Sequence, residues 1–233
     1  MAEKVLKLYK NLGETPLECI ESFKSDNPEY KDLPMTYAGR LDPMAEGLLI
    51  VLVGEERKKK DEYLGLSKEY VFEVLFGFMT DTYDLLGLPK ASETKDANFD
   101  KFLGKRIQKY PPFSSKTIDG VPLFEKTRSG EEFDLPEKEV EVFEIKVQEE
   151  RTISKKDLLE EILRKIDLVK GDFRQEEIIK AWKDILGKDK REEFKIVKVK
   201  TSCSSGTYVR SICNEVGACA FSIKREKVGQ FKI

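Results

Sequence analysis

Leucine, isoleucine and valine alone fill positions 48–53. An uninterrupted apolar run of this length, rich in branched residues, reads as a strand anchored in the core. It follows directly on Gly39-Arg40-Leu41-Asp42-Pro43-Met44-Ala45-Glu46-Gly47. A strand fixed in the core fixes what precedes it, so the Asp42 carboxylate stands at the entrance of a rigid element, the support a catalytic group needs. An Asp-Pro pair taken alone is an ordinary turn. The functional reading of Asp42 therefore depends on what the rest of the chain supplies.

The chain has 233 residues and no histidine. That excludes Ser-His-Asp and Cys-His catalysis and leaves acid–base work to Asp, Glu, Tyr, Lys or Cys. Cys19, Cys203, Cys213 and Cys219 form no Cys-x-x-Cys pair, so a zinc site of the usual kinds is not expected. No run approaches the length of a membrane span and Met1 opens no secretory leader, so the sequence reads as cytoplasmic, with no membrane partner. Charged residues make up 37% of the chain, at a net charge of only −2. Their distribution is uneven. Residues 131–177 carry 16 Asp and Glu against 9 Lys and Arg, whereas residues 195–233 carry 8 Lys and Arg against 2 Asp and Glu. Lys58-Lys59-Lys60 adds a second basic cluster. A basic face on an acidic protein suits a polyanion, although charge balance between solvated faces explains the pattern equally well.

Val5 to Lys10 reads as a first strand. Thr15-Pro16-Leu17-Glu18 carries a capping box with proline at the first helical position. Glu55 to Leu64 suggests a helix with a basic face, and Glu69 to Gly77 a strand. Thr80-Asp81-Thr82-Tyr83-Asp84 reads as a polar loop. Asn98 to Leu103 and Leu123 to Arg128 suggest short helices. Tyr110-Pro111-Pro112-Phe113 must be extended, and Asp119-Gly120 is a hairpin turn. Glu139 to Gln148 and Phe194 to Ser202 alternate as half-exposed strands. Between them Ser154 caps one helix and Asp172 is expected to cap a second, ended by Gly187, making an αα-hairpin at about 154–187. Ser204-Ser205-Gly206-Thr207 is expected to open a helix running to Glu215, and Ser222 to Ile233 a basic strand. Strands and helices mix without a βαβ rhythm, so the expected class is α+β: one domain over residues 1–233, with the hairpin as an insertion.

Six stretches, in order, are similar to the motifs of the TruB-type pseudouridine synthases. Lys10-Asn11-Leu12-Gly13-Glu14-Thr15 resembles the first motif, and Gly39-Arg40-Leu41-Asp42 with Gly47-Leu48-Leu49 the segment of the catalytic aspartate. Lys68-Glu69-Tyr70 resembles the segment of the active-site tyrosine, followed by the Thr80–Asp84 loop. Pro111 to Lys116, with Gly120 and Arg128-Ser129-Gly130, is similar to a stretch diagnostic of the type. Gly206-Thr207-Tyr208-Val209-Arg210 resembles the arginine segment, and Ile223-Lys224-Arg225 with Val228 to Phe231 the closing motif. The resemblance covers the chain except 150–193. It departs at Tyr37, where the family usually has a histidine, and at Asn11, where a proline is usual and a looser first turn is expected. The chain stops at Ile233, just after the closing motif, and the family's common C-terminal PUA domain is expected to be absent.

The resemblance implies a pseudouridine synthase fold, a mixed and mostly antiparallel sheet flanked by helices. It implies a monomer acting on the tRNA T-arm at position 55, with Asp42, Tyr70 and Arg210 as catalytic residues and without a cofactor. Lys10, Tyr37, Tyr208, Ile223 and Lys116 are the expected substrate-binding residues, with Leu41 a second wall beside Ile223. Lys58, Lys59, Lys60, Lys224, Arg225 and Lys227 are further candidates for phosphate contacts. Two other readings remain open at this level: an RNA chaperone without dependence on catalysis, and a pseudouridine synthase for another RNA.

Overall fold

The computed structural model describes residues 3–94 and 97–233. The apolar run lies in strand β3 (Ala45–Val53). β3 pairs antiparallel with β1 (Val5–Lys10) and with β2 (Met35–Tyr37). Its side chains divide by the two-residue period of a strand. Leu49, Val51 and Val53 pack with Cys19 and Ile20 of α1 (Pro16–Asp26). Leu48, Ile50 and Leu52 pack with Tyr63 of α2 (Lys60–Gly65) and with Leu66. Both faces of β3 are covered, which is why the sequence there is continuous in apolar residues and not alternating. The capping box forms as expected, Thr15 accepting from the Glu18 amide and Glu18 accepting from Thr15.

The chain then runs through β4 (Lys68–Leu75), the small ribbon β5 (Phe78–Thr80) and β6 (Pro89–Ala91), and β7 (Gly104–Lys109). The hairpin of β8 (Thr117–Ile118) and β9 (Val121–Pro122) turns at Asp119-Gly120, both with positive φ, and leads into α3 (Leu123–Arg128). The long β10 (Glu137–Ser154) extends well beyond the expected Gln148. It is followed by α4 (Lys155–Asp167), α5 (Gln175–Lys188), β11 (Glu193–Cys203), α6 (Val209–Glu215), β12 (Cys219–Val228) and β13 (Phe231–Lys232).

The main sheet runs β1-β3-β12-β4-β11-β10-β7, with β13 on β12 and β2 on β3. Among the described residues its pairs are antiparallel except β3 with β12. This is the expected mixed, mostly antiparallel α+β arrangement. One sheet face packs Phe72, Val74 and Val199 against Ile212 of α6. The other packs Leu75, Ile196 and Phe221 against Leu158, Ile162 and Ile166 of α4 and Trp182 of α5. The helical hairpin thus supplies half of one core layer.

Further boundaries differ from the sequence reading. Arg174 with φ +62°, not Asp172, occupies the N-cap of α5; the Asp172 carboxylate instead accepts from the Arg174 amide. Gly187 lies inside α5. The Ser204–Thr207 segment is a turn, and α6 starts only at Val209. Asn11 does not loosen the first turn. Its backbone N–H, which a proline would lack, donates to Glu14 Oε2 at 2.9 Å.

Candidate active site

Asp42 closes the turn into β3, its carbonyl accepting from the Ala45 amide at 2.9 Å. The turn is braced from outside by the first motif: the Gly13 amide donates to the Pro43 carbonyl at 2.9 Å. Gly13 has φ +88°, and a Cβ there would lie 2.3 Å from the Leu168 carbonyl oxygen. Only glycine fits between the end of α4 and the Asp42 turn.

Arg210, from the first turn of α6, reaches Asp42 across 168 positions of sequence, Nε donating to Oδ2 at 2.8 Å. The side chain of Arg210 is 3% exposed and that of Asp42 is 30% exposed, so the arginine is fixed in the protein while the carboxylate faces an opening. Two further guanidinium nitrogens donate to backbone, Nη1 to the Thr82 carbonyl at 2.5 Å and Nη2 to the Phe113 carbonyl at 3.2 Å. The planar fork of arginine suits this multiple attachment. Burial works to lower its pKa, but Asp42 and Asp84 outweigh burial and hold the group above its ordinary value.

Asp84 was not singled out by the sequence, and the expected polar loop Thr80–Asp84 turns inward: Thr80, Thr82 and Asp84 are all buried. Asp84 Oδ2 lies 3.7 Å from Arg210 Nε, while its Oδ1 accepts from Thr82 Oγ1 and the Leu86 amide. Burial raises the Asp84 carboxyl to about 6 against the pull of Arg210. The two-residue spacing of Thr80, Thr82 and Asp84 ahead of Leu85-Leu86 is the sequence signal that this loop turns inward.

Asp42 and Arg210 face a cavity of about 240 Å³ whose lining includes Leu41, Lys68, Tyr70, Tyr208 and Ile223. Tyr70 is 9% exposed, and burial raises its phenol pKa against the opposing effect of Arg225. Tyr208 packs edge-on against Tyr110, with its phenol pushed up to about 12 by burial and by Asp42. The expected Asp42, Tyr70, Arg210, Tyr208, Ile223 and Leu41 thus come together around one space. A second cavity of about 260 Å³ shares Arg40, Asp42 and Arg210 and continues past Phe113 to Arg128 and Arg174.

Other expected residues are placed otherwise. Lys10 is fully buried, lines neither cavity and donates to the carbonyls of Asn11 and Glu14, holding the first turn. Arg225 is 1% exposed, lines the first cavity and donates to the carbonyls of Gly39, Arg40 and Leu48, so it shapes the Asp42 turn from beneath. Tyr37 lies on β2 outside both cavities, its hydroxyl accepting from Arg40 at 3.3 Å and its ring under Lys60. Lys116 is exposed beside the Tyr110 ring and lines neither cavity. Lys58, Lys59 and Lys227 form ion pairs with Glu55, Glu56 and Glu69, and Lys224 lies near the Tyr9 ring.

A buried arginine aimed at a reachable carboxylate, above an aromatic floor, can hold an ionised nucleophile or base against a flat ring drawn into the cavity. Known proteins are similar to this chain. The chain is 28% identical over 246 aligned positions to tRNA pseudouridine synthase B of Borrelia garinii, covering 100% of this chain and 72% of that protein. It is 33% identical over 149 positions to tRNA pseudouridine synthase B of Aquifex aeolicus, covering 61% of this chain and 51% of that one. Among solved structures, the crystal structure of a Cbf5-Nop10-Gar1 complex matches with a TM-score of 0.55 at 18% identity, over 98% of this chain and 50% of the matched chain, a likeness of fold. The chain therefore spans about half the length of that solved protein. The TruB family pseudouridylate synthase (N terminal domain) matches residues 31–173, and the chain belongs to that family.

Proposed function

We propose that this protein isomerises a uridine of the tRNA T-loop, at position 55, to pseudouridine, with Asp42 as the group acting at the ribose. The observation that carries the reading is the 2.8 Å contact of Arg210 Nε with Asp42 Oδ2 at the mouth of a cavity floored by Tyr70. The relatives described as tRNA pseudouridine synthase B support tRNA as the substrate. In the reaction the bond from N1 to ribose C1′ breaks, the base turns, and a bond forms from C5 to C1′. C5 loses its proton and N1 gains one, so atoms and charge balance with no redox partner.

The target base must leave its stack, at a cost of a few kcal/mol that a stacking platform offsets. Tyr70 provides that platform, with Leu41 and Ile223 as walls. Arg210 pairs with Asp42 and aims its carboxylate. The protein's single catalytic domain presents this site at the N-terminal end of β3, and the helical hairpin backs it. Incubating T-arm RNA with the wild type and with Asp42→Asn tests the assignment. Pseudouridine is expected from the wild type and none above background from the variant; equal yields would remove Asp42 from the reaction.

A further inference from the structure

Lys68 is a lysine where a pocket for a flat apolar ring would not need one. It is 5% exposed and lines the same cavity as Asp42. Strand register fixes where in the cavity it lies. Lys68, Tyr70 and Phe72 share one face of β4. Phe72 is opposite Ile223, and Ile223 is opposite Ala45, which follows the Asp42 turn. Tyr70 is opposite Arg225, and Lys68 is opposite Val228. Asp42 therefore lies at the Phe72 end and Lys68 at the other, roughly 13 Å along the strand at ~3.3 Å per residue. Tyr70 is between them.

The ammonium is held in place by two backbone acceptors, the Leu64 carbonyl at 2.6 Å and the Leu66 carbonyl at 2.5 Å. An ammonium has a third N–H, and among the described residues no acceptor takes it. Other donors at that end also bond to protein acceptors. Ser205 Oγ donates to the Leu64 carbonyl, Thr207 Oγ1 to the Ser204 carbonyl, and Arg225 to three backbone carbonyls. Burial lowers the Lys68 pKa to about 8, with Arg225 adding to the effect, which leaves it protonated at neutral pH.

A uracil held with its ribose at Asp42 and its ring on Tyr70 points the edge opposite its glycosidic atom toward Lys68. In uridine the atom opposite N1 is C4, which bears O4. Turning the ring about its N3–C6 axis exchanges N1 with C5 and C4 with C2. In pseudouridine the atom opposite C5 is C2, which bears O2. One fixed donor at the far end thus meets a carbonyl oxygen both before and after the base turns. Cytosine presents an amino group there instead. We propose that Lys68 is a specificity-determining residue, donating its remaining N–H to O4 of the target uridine and to O2 of the pseudouridine product. The inference rests on the function proposed above for this cavity.

The test uses the full chain in the Asp42→Asn background, where turnover is blocked, with T-arm RNAs carrying uridine, cytidine or pseudouridine at the target position. Without a change at Lys68, uridine and pseudouridine RNAs are expected to bind at least tenfold tighter than cytidine RNA. Adding Lys68→Met, similar in length but without a donor, should abolish that preference and weaken uridine and pseudouridine binding by similar factors. An undiminished preference in the double variant would overturn the proposal. A second arm needs no variant at Lys68 and so does not depend on its folding: 4-thiouridine at the target position, whose sulfur is a weak acceptor, should lower wild-type kcat/KM by about tenfold. No penalty would overturn the proposal equally. Failure of the wild type to form pseudouridine from T-arm RNA would instead count against the functional assignment, since the binding arm reads Lys68 without turnover.

Discussion

Trp182 donates its indole N–H to the carbonyl of Leu85 at 3.1 Å, across 97 positions of sequence. Leu85 directly follows Asp84, the second carboxylate beside Arg210. The helical hairpin therefore supports the loop beside Arg210 with a hydrogen bond from a fully buried ring, which also packs edge-on against Phe78 at 5.3 Å. Trp182→Phe keeps most of the packing and leaves the Leu85 carbonyl without its donor. A buried polar group orphaned in this way costs about 1–3 kcal/mol. Urea unfolding should show that loss at an unchanged m-value, and pseudouridine formation should fall with it as Asp84 loses its support.

Arg210→Lys retains the charge but not the fork. A single ammonium cannot replace Nε on Asp42 together with the bonds to the carbonyls of Thr82 and Phe113. Disrupting a buried, hydrogen-bonded pair costs on the order of 3 kcal/mol or more. Single-turnover assays on T-arm RNA should show a rate loss of about a hundredfold or greater, with far-UV circular dichroism unchanged.

Asp84 gives the protein a defined pH response. Its carboxyl is raised from 3.8 to about 6 on folding, chiefly by burial. The folded state then holds this proton more tightly than the unfolded chain, so the contribution is fully present below about 4 and is lost as pH rises through about 6. The shift corresponds to about 3 kcal/mol. Comparing unfolding free energies of the wild type and Asp84→Asn from pH 4 to 7 should show the wild type losing stability relative to the variant across that window.

Gly47→Ala should be among the most damaging small substitutions. Gly47 sits inside β3 with φ +111°, opposite Arg225 of β12, and a Cβ there would lie 2.3 Å from the Arg225 carbonyl oxygen. The strained backbone alone costs about 1–3 kcal/mol, and the parallel pair must also separate. Thermal unfolding should show a large drop in Tm, and the soluble yield should fall.

What the sequence disclosed followed from local chemistry. The capping box at Thr15, the turn at Asp119-Gly120 and the doubly buried β3 each rest on a few neighbouring residues. Asp42, Tyr70 and Arg210 were found through motif order and meet around one cavity. What escaped depended on distant partners. Lys10 and Arg225 are charged residues whose buried hydrogen bonds are to backbone carbonyls, a fate that side-chain type cannot announce. Asp84 turns inward because Trp182 and Arg210 hold its loop from far along the chain. The α5 cap fell two residues later than Asp172 because Arg174 adopts the left-handed conformation.

The placement of β12 has a consequence for when the protein becomes active. In the sheet this late strand lies between β3 and β4, which precede it by well over a hundred residues. While the chain emerges from the ribosome, β3 and β4 have no direct partner in each other. Arg225 is not yet present to draw in the Gly39 and Arg40 carbonyls, and Arg210 is not yet docked on Asp42. Loop closure of this span is slow compared with local hairpin formation. The Asp42 turn is made early but set late, so a nascent chain can meet RNA before it can modify it.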